Sequence, residues 1–243
     1  MATLLSARQA AAFQMGKGDS RNLVGPSTGA QDITLNYSVF QPGEEFPQHF
    51  HDGSADIFVV LEGGVSVRQG DVYTPIHEGQ FAYVPSPEVH GTVNTTNAEA
   101  TLISFQAPPD QALYRGERDP SQTGETPRPP ENHQTQVRID RLDSGNVSPG
   151  GKTKGWAPAS PATGTAEMKL DYFELGEGGQ VESPASPDKE AVWFVWSGEV
   201  SIAAGGESLQ AARHEGAFIP PGEAQTVRNL SATTARLIRC QAV

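Results

Sequence analysis

The chain has 243 residues, enough for one large or two modest domains, each with a core of its own. A formal net charge of -12 excludes nucleic acid and an anionic membrane surface as partners, because both call for a basic face. Hydrophobic residues make up 36%, and 26 Gly and 19 Pro cut the chain into short segments, so an all-β fold is expected in preference to long helices.

The one cysteine, Cys240, rules out an internal disulfide, removes thiolates from any metal site and fits a reducing compartment. No apolar run approaches the roughly 20 residues of a membrane span. The opening MATLLSARQAAAFQ lacks the basic-then-apolar order of a secretory signal, so a cytoplasmic location is expected.

Residues 1–32 carry no ligand pattern and read as a surface-packing arm, with a helical turn or two in SARQAAA. From Ile33, ITLNYSVF alternates and is rich in β-branched and aromatic residues, which predicts a strand leading into GEEFPQHFHDGSADIFVVLEG. There His49 and His51 are two apart, so on a strand both point to one face. Asp56 opens the apolar run 57–61, read as the returning strand of a hairpin, which brings an oxygen donor back towards the imidazoles. Further strands are expected at 65–68, 79–84, 91–94 and 101–106, the regular short spacing of a sandwich or barrel.

Residues 108–137 are Pro-rich and polar and are read as a linker, with Tyr114, Arg115 and Arg118 on a plain surface excursion rather than a lid. His77, His133 and His214 are read as solvated. Strand character returns at 137–142 and 168–174. Then GGQVESPASPDKEAVWFVWSG echoes the first histidine stretch, and EGAFIPPGEAQTVRN echoes EGQFAYVPSPEVHGTVN. Repetition on this scale implies two copies of one domain.

These residues resemble the two signature motifs of the cupin superfamily. Gly43, His49, His51, Asp56 and Gly63 keep every spacing of the first motif, with Asp in place of the family's Glu. Gly79, Pro85, His90 and Asn94 keep the second, with Pro87 where the family has its middle glycine. The resemblance implies two tandem jelly-roll β-barrels: 1–107 an N-terminal cupin with the metal site, 108–137 the linker, and 138–243 a degenerate C-terminal cupin. It also implies that His49, His51, Asp56 and His90 hold one divalent transition metal, with Fe, Mn, Ni, Co and Zn not distinguished. Three imidazoles and a carboxylate suit such an ion and leave two positions of an octahedron open.

In the second copy Pro184, Ser186 and Ala191 stand where His49, His51 and Asp56 do, and Gln225 replaces His90. No metal is expected there. Glu190 is one residue out of register and is expected to face outward. Trp193, opposite Phe58, is expected to fill the core, with Gln225 as the partner of its indole N–H.

Alternation places Phe58 and Val60 beside Asp56, and Thr92 beside His90, as pocket residues, with Asn36, Ser38, Pro47 and Gln48 as rim candidates. A partly apolar or aromatic small molecule is the expected substrate. The chain looks most like the quercetinase-type dioxygenases, with Asp56 as a candidate base. The same ligands also serve cupin isomerases, lyases and decarboxylases, and storage cupins are non-catalytic. The oligomeric state is open, a homodimer being one option.

Overall fold

Thr34–Phe40 shows how alternation builds the fold: Asn36, Ser38 and Phe40 point inward and are buried, while Tyr37 and Val39 between them are partly exposed. The computed structural model describes residues 1–145 and 147–243. They form two units, one of residues 11–141 and one of residues 1–10 with 142–243.

Each unit pairs a seven-stranded sheet with a four-stranded one, every pairing antiparallel, in the jelly-roll manner. In the N-terminal unit Ala55–Glu62 lies in the large sheet between Gln80–Val84 and the central strand Ala100–Ala107. The small sheet runs Glu45–His49, His90–Val93, Gly64–Gln69, Val72–His77. Phe40, Phe58, Val60, Ala82 and Leu102 from the first meet Val65, Val67 and Ile76 from the second in one core. The expected hairpin does not form: Ala55–Glu62 joins the other sheet, because the turn after His51 carries the chain from one sheet to the other. Gly63 ends that strand in the left-handed region at φ 73°, and Gly198 does the same in the second unit at φ 90°, which is why both copies keep this glycine.

The boundaries differ from 1–107, 108–137 and 138–243. Thr3–Ser6 is an edge strand of the C-terminal unit, paired with Glu215–Ile219, so the first ten residues do not belong with the unit that holds His49, His51, Asp56 and His90. The stretch 108–137 is no linker. Its two single-turn helices, Gln111–Tyr114 and Pro120–Thr123, are capped by Asp110 and Asp119, and it is followed by Arg138–Arg141, paired with Gln80–Val84. Polar composition hid this, since short capped turns need no apolar period. His133, expected in solvent, donates to the buried Glu88 carboxylate at 2.8 Å.

In the C-terminal unit, Trp193 is fully buried and its indole N–H donates to Gln225 Oε1 at 3.0 Å. Arg239 and Asp171 form a buried ion pair at 3.1 Å. Glu190 is buried rather than outward, because the Ala191–Ser197 strand that follows it is covered on both faces, so a one-residue slip does not reach solvent. Cys240 is buried as well, and burial pushes its thiol well up, which leaves it unreactive. Among the described residues no helix is long and apolar enough to cross a membrane.

Candidate metal centre

His49 ends Glu45–His49, and His51 follows two residues on, just past the strand, with the two ring centroids 4.7 Å apart. His90 opens the neighbouring strand directly opposite His49. Asp56 comes from the other sheet, at the start of Ala55–Glu62. All four are buried, and their donor atoms lie within 4.8 Å of one another.

The Nε2 atoms of His49 and His51 are 3.1 Å apart, and Asp56 Oδ2 lies 3.3 Å from Nε2 of both His51 and His90. Two metal bonds of about 2.1 Å meeting at a right angle would hold their donors about 3 Å apart, so the set fits a first-row ion. The shorter Asp side chain therefore brings its oxygen to the centre. Each ring is also turned correctly. His49 Nδ1 donates to Pro47 O at 2.9 Å, His90 Nδ1 to Glu88 O at 2.9 Å and His51 Nδ1 to Asp110 Oδ2 at 2.9 Å, which leaves every Nε2 facing inward.

Burial, with the nearby imidazoles, pushes His49 well below its ordinary value, so it is neutral. Burial alone would lower His51 too, but Asp56 and Asp110 outweigh it and hold this ring up to about 9. Burial works against ionised Asp56, yet His51 and His90 keep it well below the usual carboxylate range. Asp56 and Asp110 thus favour a proton on His51, whose place a bound cation would take.

Gly91, between His90 and Thr92, lets two strands close up. A Cβ there would come within 2.9 Å of Gln48 N and Phe46 O, both main-chain atoms of the adjoining strand. Gly91→Ala is expected to lower stability by about 1–3 kcal/mol and to weaken metal binding by parting His90 from His49, read by melting curves and metal titration.

Beside the centre lies a cavity of about 440 Å³, counting its open mouth. Phe40, Phe46, Phe58, Leu102 and Leu113 supply its apolar wall. Asn36, Ser38, Thr92, Ser104 and Gln106 supply its polar one, and no Lys or Arg lines it. Phe58 and Thr92 are among its lining residues. Val60 is not in the lining; it lies one step deeper along its strand, fully buried in the core. Pro47 and Gln48 are also outside it, whereas Asn36 and Ser38 belong to it.

Sequence reasoning missed Gln106, Asp110 and Leu113, and also Phe40, Phe46, Leu102 and Ser104 of the cavity wall. Gln106 sits opposite Asp56 across the sheet, and its Nε2 donates to Asp56 Oδ1 at 3.1 Å. That register was the one available signal. Asp110 and Leu113 lie in the supposed linker.

Residues 36–105 match the model of the cupin domain family. A polyketide synthase, CurC of Streptomyces cyaneus, is 28% identical over 92 residues, which is 37% of this chain and 60% of that protein's length. The chain thus spans less than two thirds of that curated relative. Among solved structures, the oxalate decarboxylase of Lactobacillus farciminis in its formate complex superposes with a TM-score of 0.73 at 10% identity, covering 98% of this chain and 85% of that one. Protein Ylba from E. coli superposes at 0.71 with 13% identity, covering 100% and 90%. The oxalate decarboxylase of Bacillus subtilis, described with Mn(II) centres, gives 0.71 at 10% identity over 98% and 76%. These structural likenesses concern the fold.

Proposed function

Because the chain belongs to the cupin superfamily, we propose that its N-terminal unit is a metal-dependent dioxygenase acting on a small phenolic or enol-bearing organic molecule. The observation that carries this reading is the pairing of a three-histidine, one-carboxylate centre with a partly apolar cavity, walled by three Phe and two Leu, that no Lys or Arg lines. A bound first-row ion supplies Lewis acidity and, for a redox-active metal, an electron relay to dioxygen.

The chain's residues do the rest. The charge of a dicarboxylate would be offset only in part by a bound divalent ion already facing Asp56, and no Lys or Arg lines the cavity to meet the rest, which disfavours decarboxylation of such an acid. A neutral phenol or enol enters without that cost. Phe40, Phe46 and Phe58 cover its ring or alkyl body, while Ser104, Ser38 and Asn36 offer hydrogen bonds to its oxygens. Asp56 is the group placed to accept the hydroxyl proton, and Gln106 Nε2, donating to its Oδ1 at 3.1 Å, keeps the carboxylate turned.

The curated relative favours one second reading. Polyketide chains carry enolisable carbonyls, and Asp56 placed to move a proton between carbon and oxygen would serve non-oxidative chemistry on such a chain.

Oxygen-electrode assays with the metal-loaded protein and phenolic or enol substrates decide between the two. Stoichiometric oxygen uptake, reduced about 10²–10⁴-fold in Asp56→Asn, is the expected result. Substrate turnover with no oxygen consumed would establish the second reading.

A further inference from the structure

We propose that Asp110 is a positioning residue that fixes the His51 ring for metal binding and ties the centre to the two-helix segment around it. The inference rests on the metal centre, not on the reaction argued above. His49 and His90 each give their Nδ1 proton to the backbone carbonyl two residues earlier, Pro47 O and Glu88 O. His51 alone uses a side chain from far along the chain, the Asp110 carboxylate at 2.9 Å.

That carboxylate is buried and held from every side. Its Oδ1 accepts Ala112 N–H at 2.9 Å as the helix cap, and Arg118 Nε donates to Oδ2 at 3.2 Å. The Asp110 backbone N–H donates to Gln106 Oε1 at 2.6 Å, and Gln106 Nε2 reaches Asp56 at 3.1 Å. Asp110 therefore supports two ligands, His51 directly and Asp56 through one amide. Arg118 closes the arrangement, pairing with Asp52 at 2.8 Å and lying 4.5 Å from the centroid of the Phe50 ring, on either side of His51 in sequence. A charged acceptor both fixes ring orientation and raises the basicity of the coordinating nitrogen, and loss of such a partner typically weakens metal affinity 10–100-fold.

Serine at position 110 keeps a helix cap but is too short to reach His51. Chelator competition with zinc should therefore show Asp110→Ser weaker by about 10–100-fold, and Asp119→Ala, which removes only the second helix cap, within about twofold of the parent. In the zinc-loaded parent protein, nitrogen-15 NMR should show the His51 Nδ1 proton downfield of those of His49 and His90, and Asp110→Ser should lose that signal. Unchanged zinc affinity in Asp110→Ser, or an equal loss in Asp119→Ala, would overturn the proposal. So would three equivalent ring protons in the parent, a measurement that needs no variant to fold.

Discussion

His90→Ala is expected to lose metal affinity by at least about a hundredfold and, with it, all metal-dependent turnover. Structural sites of four protein ligands bind with apparent free energies of about 10–16 kcal/mol, so one ligand accounts for about 3 kcal/mol, which is over two decades in affinity. The change also removes the imidazole 3.3 Å from Asp56 Oδ2, leaving that buried carboxylate with less to keep it ionised. The strand itself should survive. His90–Val93 is held on both sides by main-chain pairing, with Glu45–His49 and with Gly64–Gln69, and alanine keeps those bonds. Metal content by mass spectrometry after dialysis, beside circular dichroism, separates the two effects. His77→Ala, which removes an exposed imidazole, should behave as the parent. Retention of stoichiometric metal by His90→Ala would remove His90 from the ligand set.

The histidines were legible because their geometry is local. A spacing of two keeps the rings of His49 and His51 close although the strand itself stops at His49, and the second motif supplies a strand that lands beside the first. Asp56 was legible as a donor but not by its route, since alternation does not say which sheet a strand joins; it crosses to the other sheet instead of forming a hairpin. What stayed hidden was carried by tertiary contacts in segments without period. Asp110 reads from sequence as a helix cap at best, and its bond to His51 spans a stretch whose prolines and charges resemble a linker. Thr3–Ser6 is a short edge strand with no alternation long enough to detect, so its place in the second unit could not be read. Val60 shows the opposite limit: the face was right, but depth along a strand is set by where the two sheets converge.

Trp193→Ala is expected to destabilise the C-terminal unit by about 3–5 kcal/mol while leaving metal affinity in the other unit unchanged. The indole is fully buried, packs beside Phe173 with ring centroids 5.4 Å apart, and occupies the place that Phe58 takes next to the metal centre. Where the N-terminal unit keeps an open cavity, the matching place here holds Trp193, Gln225, Arg239 and Asp171, linked in that order as a chain. Truncation leaves a void, takes the N–H from Gln225 Oε1 and leaves only Arg239 Nε, at 3.4 Å, to serve it. All three tryptophans, Trp156, Trp193 and Trp196, lie in this unit, so fluorescence-detected denaturation of the variant still reports on it through the remaining two. A drop in midpoint with unchanged zinc affinity would mark the second copy as a structural module that has exchanged its ligands for a packed core. Zinc affinity falling together with that midpoint would instead show that the two copies share their stability, and that the ligand-free repeat supports the centre it no longer contains.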